Sequence, residues 1–395
     1  MKTLMVDSLV GSEYPISLCN SLEKAGLDIS LVSTQNRKTE SEVNFPLKRW
    51  SPSKKQFLSK FRKTGQYIKY LMRLFMFIKA ENVDIVHFQF FRRERIETFY
   101  FLLLRLVGVK LVYTAHNVLP HEHNKIDPIL KSIIYKSTNI IVVHTRYIKN
   151  KLVTRFKIDP EKVYVIPHGN YDTYLPKEAI TKNEARNNLN LAEKDPVMLF
   201  FGHIREYKGL DTLLDAFEIA SQENSEIKLL IAGEPQTQAL KDRYVNRIKQ
   251  IAANDRIIFK PGFIPTDKVA EYFTASDIVV LPYKHIDHSG IVHMAYSFGK
   301  PIIATKVGDF GEVIEVGRSG FLLEKNDAVN LSETIIKAFS DKRKLEEMGD
   351  FSRKLNETKY SWDNIAVKTI RLYENIKSEQ LIHDIQGTLN PGGID

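Results

Sequence analysis

The stretch VMLFFGHIREYKGLDTLLDAF, residues 197–217, decides the fold class. Its first five residues are apolar and read as a strand buried on both faces, as in a parallel sheet. Gly202 permits a sharp exit from that strand. Beyond Gly209, Leu213, Leu214 and Phe217 recur at helical spacing, so a helix follows. Arg205 and Lys208 fall in the connecting loop, over the strand end and beside the helix start. Two cations and the unpaired amides of a helix start can hold a diphosphate there. The spacing alone also fits two solvated basic side chains.

The same alternation runs outward in both directions. Residues 3–6, 29–32, 85–88, 110–114, 140–143 and 163–166 read as one set of buried strands. Residues 197–201, 228–232, 257–260, 278–281, 302–304 and 320–323 read as a second. Strands separated by helices imply parallel sheets with right-handed crossovers. The expected architecture is therefore α/β, with two doubly wound Rossmann-like domains facing across a cleft. We place the first domain at 1–176, the second at 177–360, a linker at 171–187 and a disordered tail at 379–395. A chain of 395 residues suits two domains.

Composition narrows the function. A hydrophobic fraction of 43% and a charged fraction of 27% are those of a globular protein. The single cysteine, Cys19, permits no intrachain disulfide, which suits a cytoplasmic location. No signal-peptide pattern opens the chain, and no apolar run approaches the ~20 residues that span a bilayer. The net charge of +9 is uneven: residues 1–185 hold 30 Lys+Arg against 17 Asp+Glu, a balance of +13, and the remainder is at −4. The first half thus expects an anionic partner. Residues 51–80 hold eight Lys or Arg and no acid, with Phe57, Phe61, Ile68, Leu71, Phe75 and Ile78 on a helical stripe. Such a helix, through residues 54–79, can lie peripherally on an anionic membrane or pack on its own domain. Nucleic acid is not expected, since no nucleic-acid-binding motif accompanies the charge.

Ligands of open α/β sheets bind beyond the carboxyl ends of strands, and unusual residues collect there. After residue 281 comes KHIDHSGI, 284–291, leading into a helix with Ser289 as its N-cap; Gly290 there suits either the opening of the first amides to a ligand or an ordinary loop-to-helix start. His285, His288 and His293 show no ligand pair on one helix face, so no metal is expected. TAHN places His116 just after a strand, and HEH at 121–123 lacks the helical spacing of a zinc motif. His168, in IPHGN, leaves the last strand of the first domain and suits the cleft or a packed hinge equally.

Together these segments resemble the family 4 retaining glycosyltransferases of GT-B fold. GHIREYKGLDTLLDAF is similar to the family's phosphate-binding signature. IAGEP (231–235), IIFKPGFIP, SGIVHMAYSFGKPIIAT, GDFGEVIEVGRSGFLL and TAHN match its other positions. The resemblance covers about residues 1–378. It implies sugar transfer from a UDP- or GDP-linked donor to a lipid-linked or saccharide acceptor, in cell-surface polysaccharide or glycolipid synthesis, with no cofactor. It implies that Arg205 and Lys208 neutralise the leaving diphosphate, in a site lined by Gly202. Ser289, Gly290 and Ile291 would offer amides to the donor, with His288 beside them. Phe263 and Ile264 would line the base, and Glu312 would close the next loop. His116 would contact the donor sugar and settle the acceptor, with Gly11, Asn117 and His168 on the acceptor side. Residues 361–376 resemble the helix that returns to the first domain. The family's paired glutamates are replaced by Ile286 and Met294, and Asp287, one residue from the first position, is the catalytic-site carboxylate that would take over its hydroxyl contacts. That loss keeps a second reading open, a non-catalytic nucleotide-sugar-binding partner of the same fold.

Overall fold

The computed structural model describes residues 1–8, 13–34, 42–51, 60–90, 94–118, 127–176 and 178–388. The chain forms two units, residues 1–169 with 362–395, and residues 170–361.

The first unit carries seven strands: β1 (Lys2–Asp7), β2 (Asp28–Thr34), β3 (Leu47–Ser51), β4 (Ile85–Phe90), β5 (Lys110–Thr114), β6 (Ile140–Val143) and β7 (Val163–Val165). All pair in parallel, in the order β3-β2-β1-β4-β5-β6-β7. Its helices are α1 (Tyr14–Lys24), α2 (Lys60–Ala80), α3 (Glu94–Leu106), α4 (Asp127–Ser137) and α5 (Arg146–Phe156). Both faces of the sheet are covered. Leu4 and Val6 of β1 join the cluster under α2 and α3, and Met5 joins the cluster under α1. The alternation of side chains across a strand produces that division. Strand β3 was not expected. Its sequence, LKRWS, has no apolar run, because it sits on the sheet edge and is only partly buried.

The second unit has six parallel strands: β8 (Val197–Phe201), β9 (Lys228–Gly233), β10 (Ile257–Pro261), β11 (Ile278–Leu281), β12 (Ile302–Thr305) and β13 (Gly320–Leu323). Their order is β10-β9-β8-β11-β12-β13, so the winding reverses between β8 and β11. The helices are α6 (Lys182–Asn188), α7 (Leu210–Glu223), α8 (Gln238–Gln250), α9 (Thr266–Ala275), α10 (Gly290–Ser297), α11 (Phe310–Val313), α12 (Ala328–Ser340) and α13 (Lys342–Glu357). Strand β8 is buried along its whole length, sending Val197, Leu199 and Phe201 to one core and Met198 and Phe200 to the other.

Three expectations are corrected. The division falls at 169/170, seven residues before the expected boundary of 176/177, because residues 170–172 are bonded into the second unit. Asn170 donates its amide to the Tyr360 carbonyl at 2.9 Å, and Tyr171 donates to Ser297 Oγ at 2.9 Å. The expected linker at 171–187 contains the start of α6, which a reciprocal Thr181–Glu184 capping box opens. The pattern T-x-x-E was its visible signal. The expected tail is helical to Thr388, in α14 (Trp362–Thr388). Within the first unit α14 buries Ile365, Ala366, Leu372, Tyr373 and Ile376 against the cluster that includes Tyr14 and Leu18.

The apolar stripe read on α2 is mostly an internal one. Leu71 and Ile78 are buried with Tyr67, Tyr70 and Leu74, and Phe75 is half-buried. Ile68 is exposed, and Phe57 lies outside the described residues. No described helix is long and apolar enough to cross a membrane.

Candidate functional site

The reversal between β8 and β11 brings two loops together at the carboxyl ends of those strands, where α/β sheets bind ligands. One runs from Gly202 to Gly209, the other from Pro282 to Ser289. They are stitched by the Lys284 amide on the Tyr207 carbonyl at 2.7 Å.

Gly202 leaves β8 at φ +99, and the space a side chain would take there is bounded by Ile291 and by Lys208 Nζ. The 3-10 turn Glu206–Lys208 then tucks Lys208 inward, leaving it 8% exposed, with Nζ 5.4 Å from the centre of the Tyr283 ring. Burial, and then the nearby Arg205 charge, push the Lys208 ammonium down to about 8. Among the described residues no carboxylate pairs with Arg205 or Lys208, although acids are close in sequence. Glu206 and Asp211 pair with Arg243 instead. His203, held below its ordinary value by burial and then by these two cations, adds no compensating negative charge. Two positive side chains, one buried, are thus left for an anion.

Gly209 holds the loop shut. It is left-handed (φ +69), and a methyl group there would run into the Pro282 carbonyl oxygen. Gly209→Ala is expected to destabilise the second unit by about 2–5 kcal/mol, from the left-handed backbone and the backbone clash together. Urea unfolding followed through the second unit checks this.

The second loop differs in detail from expectation. Ser289 occupies the N-cap of α10, but its hydroxyl does not cap. The Val292 amide bonds the Ser289 carbonyl at 3.3 Å instead. Gly290 is required by a neighbour, since a side chain would meet the Tyr171 hydroxyl. Ile286 and Met294 are both core residues, in the cluster with Tyr283 and Phe310. Carboxylates at those positions would be buried in apolar surroundings. Asp287 is half-buried and accepts the Asp309 amide through its carbonyl at 3.2 Å. His288 Nδ1 meets Asp309 Oδ2 at 2.6 Å, with both side chains nearly sequestered. The sequence reading did not name Asp309; a histidine–carboxylate pair 21 residues apart leaves no local pattern. Phe263 follows β10 and is 73% exposed, whereas Ile264 packs on the core. Glu312 is exposed on α11.

In the first unit, His116 and Asn117 follow β5 and are half-buried. Both ring nitrogens of His116 are engaged, Nε2 with the Gln89 amide at 2.9 Å and Nδ1 with His144 Nε2 at 3.1 Å. Phe90 stacks on the His116 ring at 4.3 Å. His168 is buried, bonded through Nδ1 to the Gly169 carbonyl at 2.6 Å, with Tyr14 edge-on to it at 4.9 Å. Gly11 and residues 121–123 lie outside the described residues.

Two doubly wound parallel-sheet units, one with unneutralised cations at its winding reversal, have the architecture of the GT-B glycosyltransferases. The chain is a member of glycosyltransferase family 4. Residues 12–170 match the profile "Glycosyltransferase Family 4", and residues 181–355 match "Glycosyl transferases group 1". It is 22% identical to the D-inositol 3-phosphate glycosyltransferase of Corynebacterium diphtheriae, over 85% of this chain and 83% of that one. It is 25% identical to the alpha-maltose-1-phosphate synthase of Mycolicibacterium smegmatis, over 67% and 75%. In fold it is similar to a sucrose-phosphate synthase of Thermosynechococcus elongatus, with TM-score 0.77 and 17% identity, over 96% and 100% of the two chains. It is similar too to Anabaena HepE in complex with UDP-glucose, with TM-score 0.73 and 15% identity, over 95% and 100%.

Proposed function

We propose that this glycosyltransferase moves a sugar from a UDP-linked donor, with retention, onto a lipid-linked or saccharide acceptor in cell-surface polysaccharide or glycolipid synthesis. The observation that carries the donor reading is the buried, unneutralised Lys208 beside Arg205. The UDP-glucose in HepE favours uridine over guanosine. Charge develops on the departing diphosphate in the transition state, and fixed cations meet it without reorganisation. That supplies the charge a metal ion would otherwise bring. The sequence offers no obvious carboxylate as a nucleophile, which favours same-face displacement assisted by the leaving phosphate over a covalent intermediate. Phe263 offers a face to the base. On the first unit His116, Asn117 and His168 stand at the strand ends on the acceptor side.

A thermal-shift series with UDP, GDP and ADP tests this. UDP at 100 times its Kd adds about 2.7 kcal/mol to the unit that binds it. A shift with UDP that exceeds those with GDP and ADP supports the reading, and no shift with any nucleotide sinks it.

We also infer a peripheral membrane contact at the inner face of the plasma membrane. The outward face of α2 exposes Ile68, Met72 and Met76 beside Arg62, Lys69 and Arg73. The neighbouring α3 exposes Phe99, Leu103 and Leu106. Tyr67–Glu97 and Lys79–Val107 hydrogen bonds tie the two helices near both ends. Apolar side chains flanked by cations suit an anionic lipid surface, each cation near it adding about 1 kcal/mol. Met72→Glu with Met76→Glu is expected to weaken binding to phosphatidylglycerol vesicles at least tenfold. Binding that resists both the substitutions and raised salt would remove the contact.

A further inference from the structure

A cavity of about 240 Å³ opens within the second unit at the amino ends of β8, β11 and β12, where Pro196, Asp277 and Pro301 stand just before those strands. The donor loops lie at the opposite, carboxyl ends, about 13 Å away along a four-residue strand. Half-buried Lys300 lines the cavity. Two of its three ammonium hydrogens serve carbonyls at the end of α9, Ser276 at 2.7 Å and Thr274 at 3.4 Å. The third is left for a ligand. The Arg353 guanidinium comes in from α13 and lies over Gly299, where a Cβ would stand 2.7 Å from Nη2. Gly299 is left-handed (φ +61), so it ends α10 and makes room for the guanidinium at once. Gly349, one turn earlier on α13, rests on the same backbone, since a Cβ there would meet the Gly299 carbonyl oxygen at 2.7 Å.

Like charges gather there. Burial pushes the Lys300 ammonium down to about 7; Lys182 adds to the shift, Asp277 opposes it, and Arg186 and Arg353 lower it further. Asp277 is already engaged. It accepts from Lys182, from Arg186 at 3.0 Å and from the Val197 amide at 2.7 Å. Asp195 accepts the Ala192 amide at 2.8 Å. The other charges on the wall are exposed and of both signs: Glu193 and Lys194 before β8, and Lys342, Glu346 and Asp350 on α13. Among the described residues none of these acids forms an ion pair with Lys300 or Arg353, whereas Asp277 pairs with Lys182 and Arg186.

We propose that Lys300 and Arg353 form a second anion site, remote from the donor loops, for the phosphate of a small phosphorylated molecule. Arg353 supplies a planar fork that matches a tetrahedral oxyanion, and Lys300 adds a point charge with a donor to spare. A dianion held by both relieves the repulsion between them and keeps the lysine charged. The charged walls suit a compact polar ester rather than an acyl chain.

Calorimetric titration of the full chain with sulfate, a tetrahedral dianion that exchanges no proton of its own near neutral pH, tests it. UDP in excess keeps sulfate out of the donor loops. In buffers of different ionisation enthalpy, binding at about pH 7.5 is expected to take up a fraction of a proton, because the anion holds Lys300 charged. Affinity should fall as pH rises above 7, approaching about tenfold per pH unit, since the neutral amine must then gain a proton to bind. Inorganic phosphate should compete with sulfate. Arg353→Gln changes an exposed side chain that has no acidic partner, so the variant should melt as wild type does and bind sulfate at least tenfold more weakly. Lys300→Met should abolish the proton uptake; if the loss of its carbonyl contacts prevents folding, Arg353→Gln decides alone. Unchanged sulfate affinity in Arg353→Gln, binding without proton uptake, no competition by phosphate, or binding seen only without UDP overturns the site.

Discussion

Arg205→Ala is expected to lower kcat/KM for sugar transfer by about 10²–10³, with the folded structure retained. The side chain is half-buried at the end of β8 and, among the described residues, has no acidic partner, so its removal strands no buried counter-charge. Its positive charge also helps depress Lys208. In the variant Lys208 therefore holds its proton more firmly, which limits the loss of ground-state nucleotide binding. The drop should appear more in kcat than in KM. Steady-state kinetics with circular dichroism as a fold control decide it. Full activity in a folded variant would dismiss Arg205 from the diphosphate site.

Lys208→Met is expected to act in opposite directions on activity and stability. Carrying a cation in that buried place costs about 3 kcal/mol, from the distance between its ordinary value of 10.5 and about 8. Methionine keeps the packing against Tyr283 and removes the charge, so the second unit should gain about 1–3 kcal/mol. Transfer should fall at least a hundredfold, because the diphosphate loses its buried cation. The pH dependence has a definite sign. Between pH 8 and 10.5 the unfolded chain holds the Lys208 proton more than the folded one, so wild-type stability rises with pH across that window. Below pH 8 both states are protonated and the penalty is present in full. UDP affinity moves the other way, falling above pH 8 as the ammonium deprotonates. Both dependences should vanish in Lys208→Met, as calorimetric titration and denaturant melts at pH 7–10 would show. A variant less stable than wild type would mean that Lys208 is a structural cation.

Much of the fold was legible because a central parallel strand is buried on both faces. Val197–Phe201 and Ile278–Leu281 are wholly buried and therefore wholly apolar. The edge strand Leu47–Ser51 is not, so its sequence carried no such run. Arg205 and Lys208 were visible as basic residues between a strand and a helix. Their different burial was not, since the 3-10 turn that tucks Lys208 inward is bonded through the Tyr207 carbonyl to the Lys284 amide of a distant loop.

The sequence by itself determined the two alternating sets of strands, the strand-end loops that bear the unusual residues, and the basic balance of the first half. These are local properties of composition and period. Only the tertiary structure decided which charges find partners. It joins His288 to Asp309, Gln89 to His116, and Arg243 to Glu206 and Asp211. It also decided that the outward face of α2 is Ile68, Met72 and Met76, because the sheet claims Leu71, Leu74 and Ile78. Such pairings join residues far apart in the chain. A periodic pattern shows that a helix has an apolar face, whereas the neighbours brought together by folding select which of its residues that face will bury.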